Sequence, residues 1–220
     1  HAVGLTHLYF DLHQDQPAAR QTYLQYLAGV YLGQASSDPL FKLLGSDDEK
    51  ASQNYRRLMT LDDAQLESLI SSSDRITQLV LSRSQLSSWQ RLAHFRRLEW
   101  LDLSFTNIGK DQMVWLSELK ELRRLSLEGT QIEGDALRII SQLPKLQELD
   151  LSQCQIDDDQ LNLIGQHPSL EVLWLNQTQV SEQALKLIQS LPKLRECDVS
   201  QTRMNPEVWE EFVRKHQRPS

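Results

Sequence analysis

Six segments of this chain line up on one pattern, and their spacing constrains the fold more than any other feature. They are ITQLVLSRSQL from Ile76, LEWLDLSFTNI from Leu98, LRRLSLEGTQI from Leu122, LQELDLSQCQI from Leu146, LEVLWLNQTQV from Leu170 and LRECDVSQTRM from Leu194. The starts differ by 22 residues once and then by 24 four times running. The shared form is L-x-x-L-x-L-x-x-T-x-I. In L-x-L the period of two marks a short strand with one buried face. Leu101 and Leu103, Leu125 and Leu127, and Leu149 and Leu151 therefore point inward, and the residues between them face outward. Further along each unit the period becomes three. Leu137, Ile140 and Leu143 form one helical stripe, and Leu185, Ile188 and Leu191 another. Pro144, Pro168 and Pro192 then end each helix. No single unit buries its apolar side alone, so the units must stack.

This pattern resembles the leucine-rich repeat family, and the resemblance covers Ile76 to His216. It implies an α/β leucine-rich repeat solenoid, with a curved parallel sheet on the concave side and helices on the convex side. Threonine at positions 106, 130, 178 and 202 stands where the commonest repeats carry asparagine. With the L-P-x-L ending, this is similar to bacterial-type arrays of 24-residue repeats. Cys154, in the same slot, is similar to the repeats of eukaryotic F-box proteins, but no F-box-like segment precedes it.

Both ends of a solenoid need covering. Residues 205–220 are expected to form a C-terminal capping helix and tail. Asn205 would be the N-cap and Pro206 the first helical residue, with Trp209, Phe212 and Val213 packed inward. Residues 76–204 hold the six repeats. Residues 1–75 lack the repeat and read as an α-helical region, either a cap or a small domain. Helices are expected from Pro17 to Leu32, from Ser46 to Leu58, and after a capping box at Thr60 and Asp63. The chain opens on His1. A trimmed or processed product is therefore expected, with room upstream for a signal, an anchor or a further domain.

The stretch most suggestive of chemistry is CQIDDDQ, residues 154–160. The repeat register absorbs it. Cys154 fills the threonine slot, and Cys197 replaces an inward leucine as a small apolar filler. Two rungs separate them by about 10 Å, beyond the roughly 7 Å Cα limit for a disulfide. The aspartates fall at a helix start, in register with Asp111, Asp135 and Glu207, where acids complement the helix dipole. Asp157 and Ser181 are candidate caps. A calcium site would need five or six convergent oxygens and usually a glycine turn, which the stretch does not offer. His1, His7 and His13 lie six residues apart, a spacing that suits neither an i,i+4 helix pair nor a strand face, and His167 takes a leucine position. No hydrolase elbow, zinc-protease, C-x-x-C or phosphate-loop motif occurs. The sequence therefore reads as a non-enzyme needing no cofactor and holding no metal.

Function is expected on the concave strands, which solenoids use to bind partners. The outward column before the first inward leucine reads Gln78, Trp100, Arg124, Glu148, Val172, Glu196. The column between the leucines reads Val80, Asp102, Ser126, Asp150, Trp174, Asp198. The column after reads Ser82, Ser104, Glu128, Ser152, Asn176, Ser200. Candidate binding residues are Trp100, Asp102, Arg124, Glu128, Glu148, Asp150, Trp174, Glu196 and Asp198. Outward tryptophans are costly unless covered and are enriched at binding hot spots. Acids around them steer a basic or mixed partner toward the face.

A net charge of -7 argues against nucleic acid. No apolar run reaches the roughly 18 residues that span a bilayer, so no membrane insertion is expected of this segment. Two readings follow: a module binding a protein or peptide on the concave face, or an accessory domain of a larger secreted or membrane-anchored bacterial protein. An extracytoplasmic location is favoured over the cytoplasm, and the oligomeric state stays open.

Overall fold

The computed structural model describes residues 61–109, 113–132 and 134–216. The helices expected at residues 17–32 and 46–58, and Asp111, lie outside them. Six three-residue strands form one parallel sheet in sequential order: β1 (Gln78–Val80), β2 (Trp100–Asp102), β3 (Arg124–Ser126), β4 (Glu148–Asp150), β5 (Val172–Trp174) and β6 (Glu196–Asp198). The register is that of the repeat. Leu79, Leu101, Leu125, Leu149, Leu173 and Cys197 are successive partners. The six leucine-patterned segments therefore build a leucine-rich repeat solenoid.

The connecting segments run behind the sheet. Two are 3₁₀ helices, Trp89–His94 and Val114–Glu118. Short α-helices serve the later units: α2 (Gly134–Ile140), α3 (Asp158–Leu161, continuing as a 3₁₀ turn through Ile164) and α4 (Leu185–Ser190). A 3₁₀ turn rises about 2.0 Å per residue against about 1.5 Å in an α-helix, so it spans the back of a rung with few residues. The expected stripes are shorter than their pattern. Leu143 and Leu191 are buried but lie past the ends of their helices. Leu185 is only half-buried, and Leu187 takes the deeper position. Proline imposes an extended backbone on the residue before it, seen at Leu191 (φ -72°, ψ 112°).

The core is one continuous apolar column through all rungs. Leu92, Leu116, Ile140, Ile164 and Ile188 stack in register, as do Trp89, Met113, Leu137 and Leu161. At the N-terminal end, α1 (Asp63–Ile70) adds Leu66 and Leu69 to this core. Its capping box is Asp62 with Gln65, two residues later than the expected Thr60–Asp63 pair. Asp63 is instead turned to the next unit, where it accepts from the Ser87 amide. At the other end, α5 (Pro206–His216) starts as expected, with Asn205 Oδ1 accepting from Glu207 N at 2.9 Å. Trp209 and Phe212 pack on the last rung with their rings stacked, centroids 5.6 Å apart.

Each rung also contains a turn that the sequence conceals. Arg83, Phe105, Gly129, Gln153, Gln177 and Gln201, two residues beyond the second inward position, all have left-handed φ, between 56° and 64°. Such a conformation costs a non-glycine residue roughly 1 kcal/mol or more. A hydrogen bond between rungs offsets it: the amides of Arg83, Phe105, Gly129, Gln153 and Gln177 each donate to a carbonyl of the following rung, at 2.7–3.0 Å. One residue later, the hydroxyls of Thr106, Thr130, Thr178 and Thr202 donate to the carbonyl three residues back. That bond explains the threonine in the pattern.

Candidate binding face of the sheet

The outward residues of β1–β6 form three columns. In the first, Trp100 stands between Gln78 and Arg124, and Arg124 pairs along the sheet with Glu148 (Nε–Oε1 3.2 Å). Val172 and Glu196 follow. In the second column Trp174 stands between Asp150 and Asp198. Both tryptophans are half-buried, each leaving part of its indole at the surface. They occupy different columns, so they are offset along the strands as well as separated by three rungs.

The acids differ sharply in how far they are engaged. Asp102 is buried at 6% exposure, and its Oδ1 accepts from the amide and hydroxyl of Ser104 at 2.9 and 2.6 Å. Asp102 is thus a brace for the strand end. Asp150 and Asp198 make the same turn, accepting from the amides of Ser152 and Ser200. The second oxygen of Asp150 accepts from Ser126 Oγ at 3.4 Å, whereas that of Asp198 has no protein partner among the described residues. The Glu196 amide donates to the Glu171 carbonyl, but its carboxylate likewise has no ion pair or hydrogen bond among the described residues. Glu128, in the third column, accepts from Gln153 Nε2 at 2.7 Å. Partial burial, with Asp150 and Asp102 nearby, raises its carboxyl above the usual range.

The sequence overlooked the polar ladder that braces this face. Ser104 and Ser126 share a hydroxyl–hydroxyl bond of 2.7 Å, and Ser152 bonds Asn176 on the next rung. Its signal was legible in the recurring D-x-S of Asp102–Ser104, Asp150–Ser152 and Asp198–Ser200. It also overlooked the edge of the face, where the Arg83 guanidinium lies 4.4 Å over the Phe105 ring and that ring lies against Gly129.

The CQIDDDQ stretch resolves into packing and caps. Cys154 is fully buried, its thiol 3.1 Å from the Leu127 carbonyl, and burial raises its pKa. Burial pushes the Cys197 thiol to about 12. Both cysteines are free. Asp157 caps α3 in a box with Gln160. Asp158 reaches the next rung and accepts from both the amide and hydroxyl of Ser181. Asp159 is exposed in the first turn. Among the described residues no group of three His, Cys, Asp or Glu side chains is placed to hold a metal. No described helix is long and apolar enough to cross a membrane.

Comparison with known proteins agrees with this architecture. A leucine-rich repeat family model matches residues 96–156, and a Zer-1-like leucine-rich repeat model matches residues 137–216. The chain is a leucine-rich repeat protein. No curated protein sequence matches it significantly. Among solved structures, an internalin (InlF) from Listeria monocytogenes is 18% identical, with 77% of this chain and 59% of that chain covered and a TM-score of 0.46. The ectodomain of the Arabidopsis receptor kinase HAESA, solved with a peptide hormone, is 18% identical over 66% of this chain and 24% of that chain, TM-score 0.48. The ectodomain of the Arabidopsis thaliana receptor kinase SOBIR1 is 23% identical over 57% of this chain and 70% of that chain, TM-score 0.39. This chain thus spans less than two thirds of the length of the first two.

Proposed function

We propose that this protein is a non-catalytic module that binds a protein or peptide of basic or mixed charge on the outward face of its sheet. The observation that carries this reading is the pair of half-exposed tryptophans, Trp100 and Trp174, at outward strand positions where the leucine core makes no demand for them. Burying such rings against a partner is a main source of interface affinity. Glu128, Glu148, Asp150, Glu196 and Asp198 surround them with negative potential, and Arg124 is the sole cation among the candidate residues. Asp102 contributes charge but little contact area, being buried under Ser104. The six stacked repeats supply a stiff platform, so little ordering cost is paid on binding.

The threonine-bearing 24-residue repeat goes with a bacterial origin and an extracytoplasmic location in this reading. Protease accessibility on intact source cells checks the location. The binding reading is tested by affinity capture from the source organism, followed by direct binding of the captured partner. The double variant Trp174→Ala with Asp150→Lys is expected to abolish capture while its melting temperature stays near that of the parent. Undiminished capture both by that variant and by Trp100→Ala with Arg124→Glu removes the face from consideration.

A further inference from the structure

The two tryptophans sit in opposite electrostatic settings. Trp100 is register partner to Arg124, whereas Trp174 has a carboxylate residue on each side, Asp150 on β4 and Asp198 on β6. The three strands read Glu-Leu-Asp, Val-Leu-Trp and Glu-Cys-Asp, so an apolar strip, Val172 and Trp174, is flanked by an acid pair on either side. No cation lies among the outward residues of these strands. Arg124 reaches Glu148 from β3, but Glu196 and Asp198 have no counter-ion among the described residues. Adjacent strands lie about 4.8 Å apart. A positive group over the indole is therefore within reach of carboxylates on both sides.

Resting on the binding reading above, we propose that β5 is a cation slot: an arginine or lysine side chain from an extended segment of the partner protein stacks on Trp174 between Asp150 and Asp198. Charge complementarity selects this occupant. The indole face attracts a cation through its quadrupole, and the flanking carboxylates add charge-assisted hydrogen bonds. Val172, two residues earlier on the same strand, takes an aliphatic neighbour on the segment. A neutral or acidic segment would leave Glu196 and Asp198 covered and unpaired, which costs affinity.

The test uses the full chain and two synthetic peptides, one alternating arginine with serine and one with citrulline in place of arginine. Binding is followed by NMR at the Trp174 indole N–H. The arginine peptide is expected to shift this resonance saturably, and the citrulline peptide to leave it unmoved. Trp174→Leu keeps both the apolar surface and every charge, and is expected to weaken the arginine peptide by about fivefold. Asp198→Asn is expected to weaken it while leaving the fold unchanged. Equal affinity of Trp174→Leu and parent overturns the slot, because attraction to a diffuse negative surface would then suffice. An indole already shielded in the free chain and unmoved by peptide also overturns it, showing the strip filled by residues 1–60. The two levels separate cleanly with the natural partner. Capture that survives Trp174→Leu and Asp198→Asn but is lost with Trp100→Ala and Arg124→Glu overturns the slot and keeps the face. Capture indifferent to all four overturns both.

Discussion

The carboxylate of Asp158 clasps the next repeat at Ser181, accepting from its amide at 2.9 Å and its hydroxyl at 2.7 Å. The same link recurs along the array. Asp63 accepts from the Ser87 amide, and Glu182 accepts from the Asn205 amide at 2.9 Å. In each case an acid at the start of one connecting helix satisfies the amide that opens the next unit. These bonds lower the pKa of Asp63 and of Glu182. Within the aspartate run, Asp158 is therefore the residue that couples one rung to the next.

Three adjacent aspartates with three roles predict an ordered set of losses. Asp158→Ala removes two charge-assisted bonds and should cost about 2 kcal/mol. Asp157→Ala removes a cap and should cost about 1 kcal/mol. Asp159→Ala loses only a dipole interaction and should cost under about 0.5 kcal/mol. Urea denaturation of the three variants checks the order, and an Asp159 effect equal to that of Asp158 would contradict it.

Gly129 is the one glycine in the column of left-handed residues, and its neighbour explains why. A Cβ there would lie 2.5 Å from Cδ1 of Phe105, on top of the strain at φ 64°. Gly129→Ala should therefore destabilise the protein by about 2–3 kcal/mol. Adding Phe105→Ala should recover part of that loss, leaving the backbone share. A thermal-denaturation double-mutant cycle measures the coupling, and strict additivity would show that the ring is not the obstacle.

His167 occupies a buried column with Phe95, Leu119, Leu143 and Leu191, and its own exposure is 1%. Its Nδ1 accepts from the Ser169 amide, while Nε2 is buried without a hydrogen bond. Burial lowers its pKa below 6.5, against an opposing pull from the carbonyls of Leu143 and Ile140. A depressed histidine pKa means that the unfolded chain takes up the proton first. Stability is then full above pH 6.5 and falls as the pH drops below it. His167→Leu should remove most of this fall between about pH 7 and pH 5. Chemical denaturation across that range reads the slope, and an unchanged slope in the variant would assign it elsewhere.

Neither thiol should behave as a reactive group. Burial raises the pKa of Cys154, and that of Cys197 stands at about 12. A disulfide reagent at pH 8 should label both slowly in the native protein and rapidly in denaturant. Fast native labelling of either would show that its rung opens. Cys154→Thr should change stability by less than about 1 kcal/mol, because threonine already serves this slot in neighbouring rungs.

How the local pattern maps onto the fold is clearest at the leucines. Leu101, Leu125 and Leu149 had to face one way because a strand alternates, and identical spacing had to bring them into register. The end of α4 was written in Pro192, and the cap of α5 in Asn205 and Pro206. The candidate columns were legible for the same reason: in a parallel stack of constant period, residues 24 apart become neighbours.

What the sequence could not determine was how neighbours on different rungs use each other. Asp102 and Asp198 share one slot in the pattern, yet Asp102 is sealed under Ser104 while Asp198 keeps an oxygen free. Arg83, Phe105 and Gln153 carry no sign of a left-handed backbone, because the compensating hydrogen bond comes from the following rung. The sequence by itself determined the strand faces, the repeat register and the stacking, since these follow from periodicity within one unit. Only the tertiary structure decided which charges are spent inside the fold and which remain on the β5 face. Burial and pairing depend on side chains about 24 positions apart in sequence, brought within hydrogen-bonding distance only when the rungs stack.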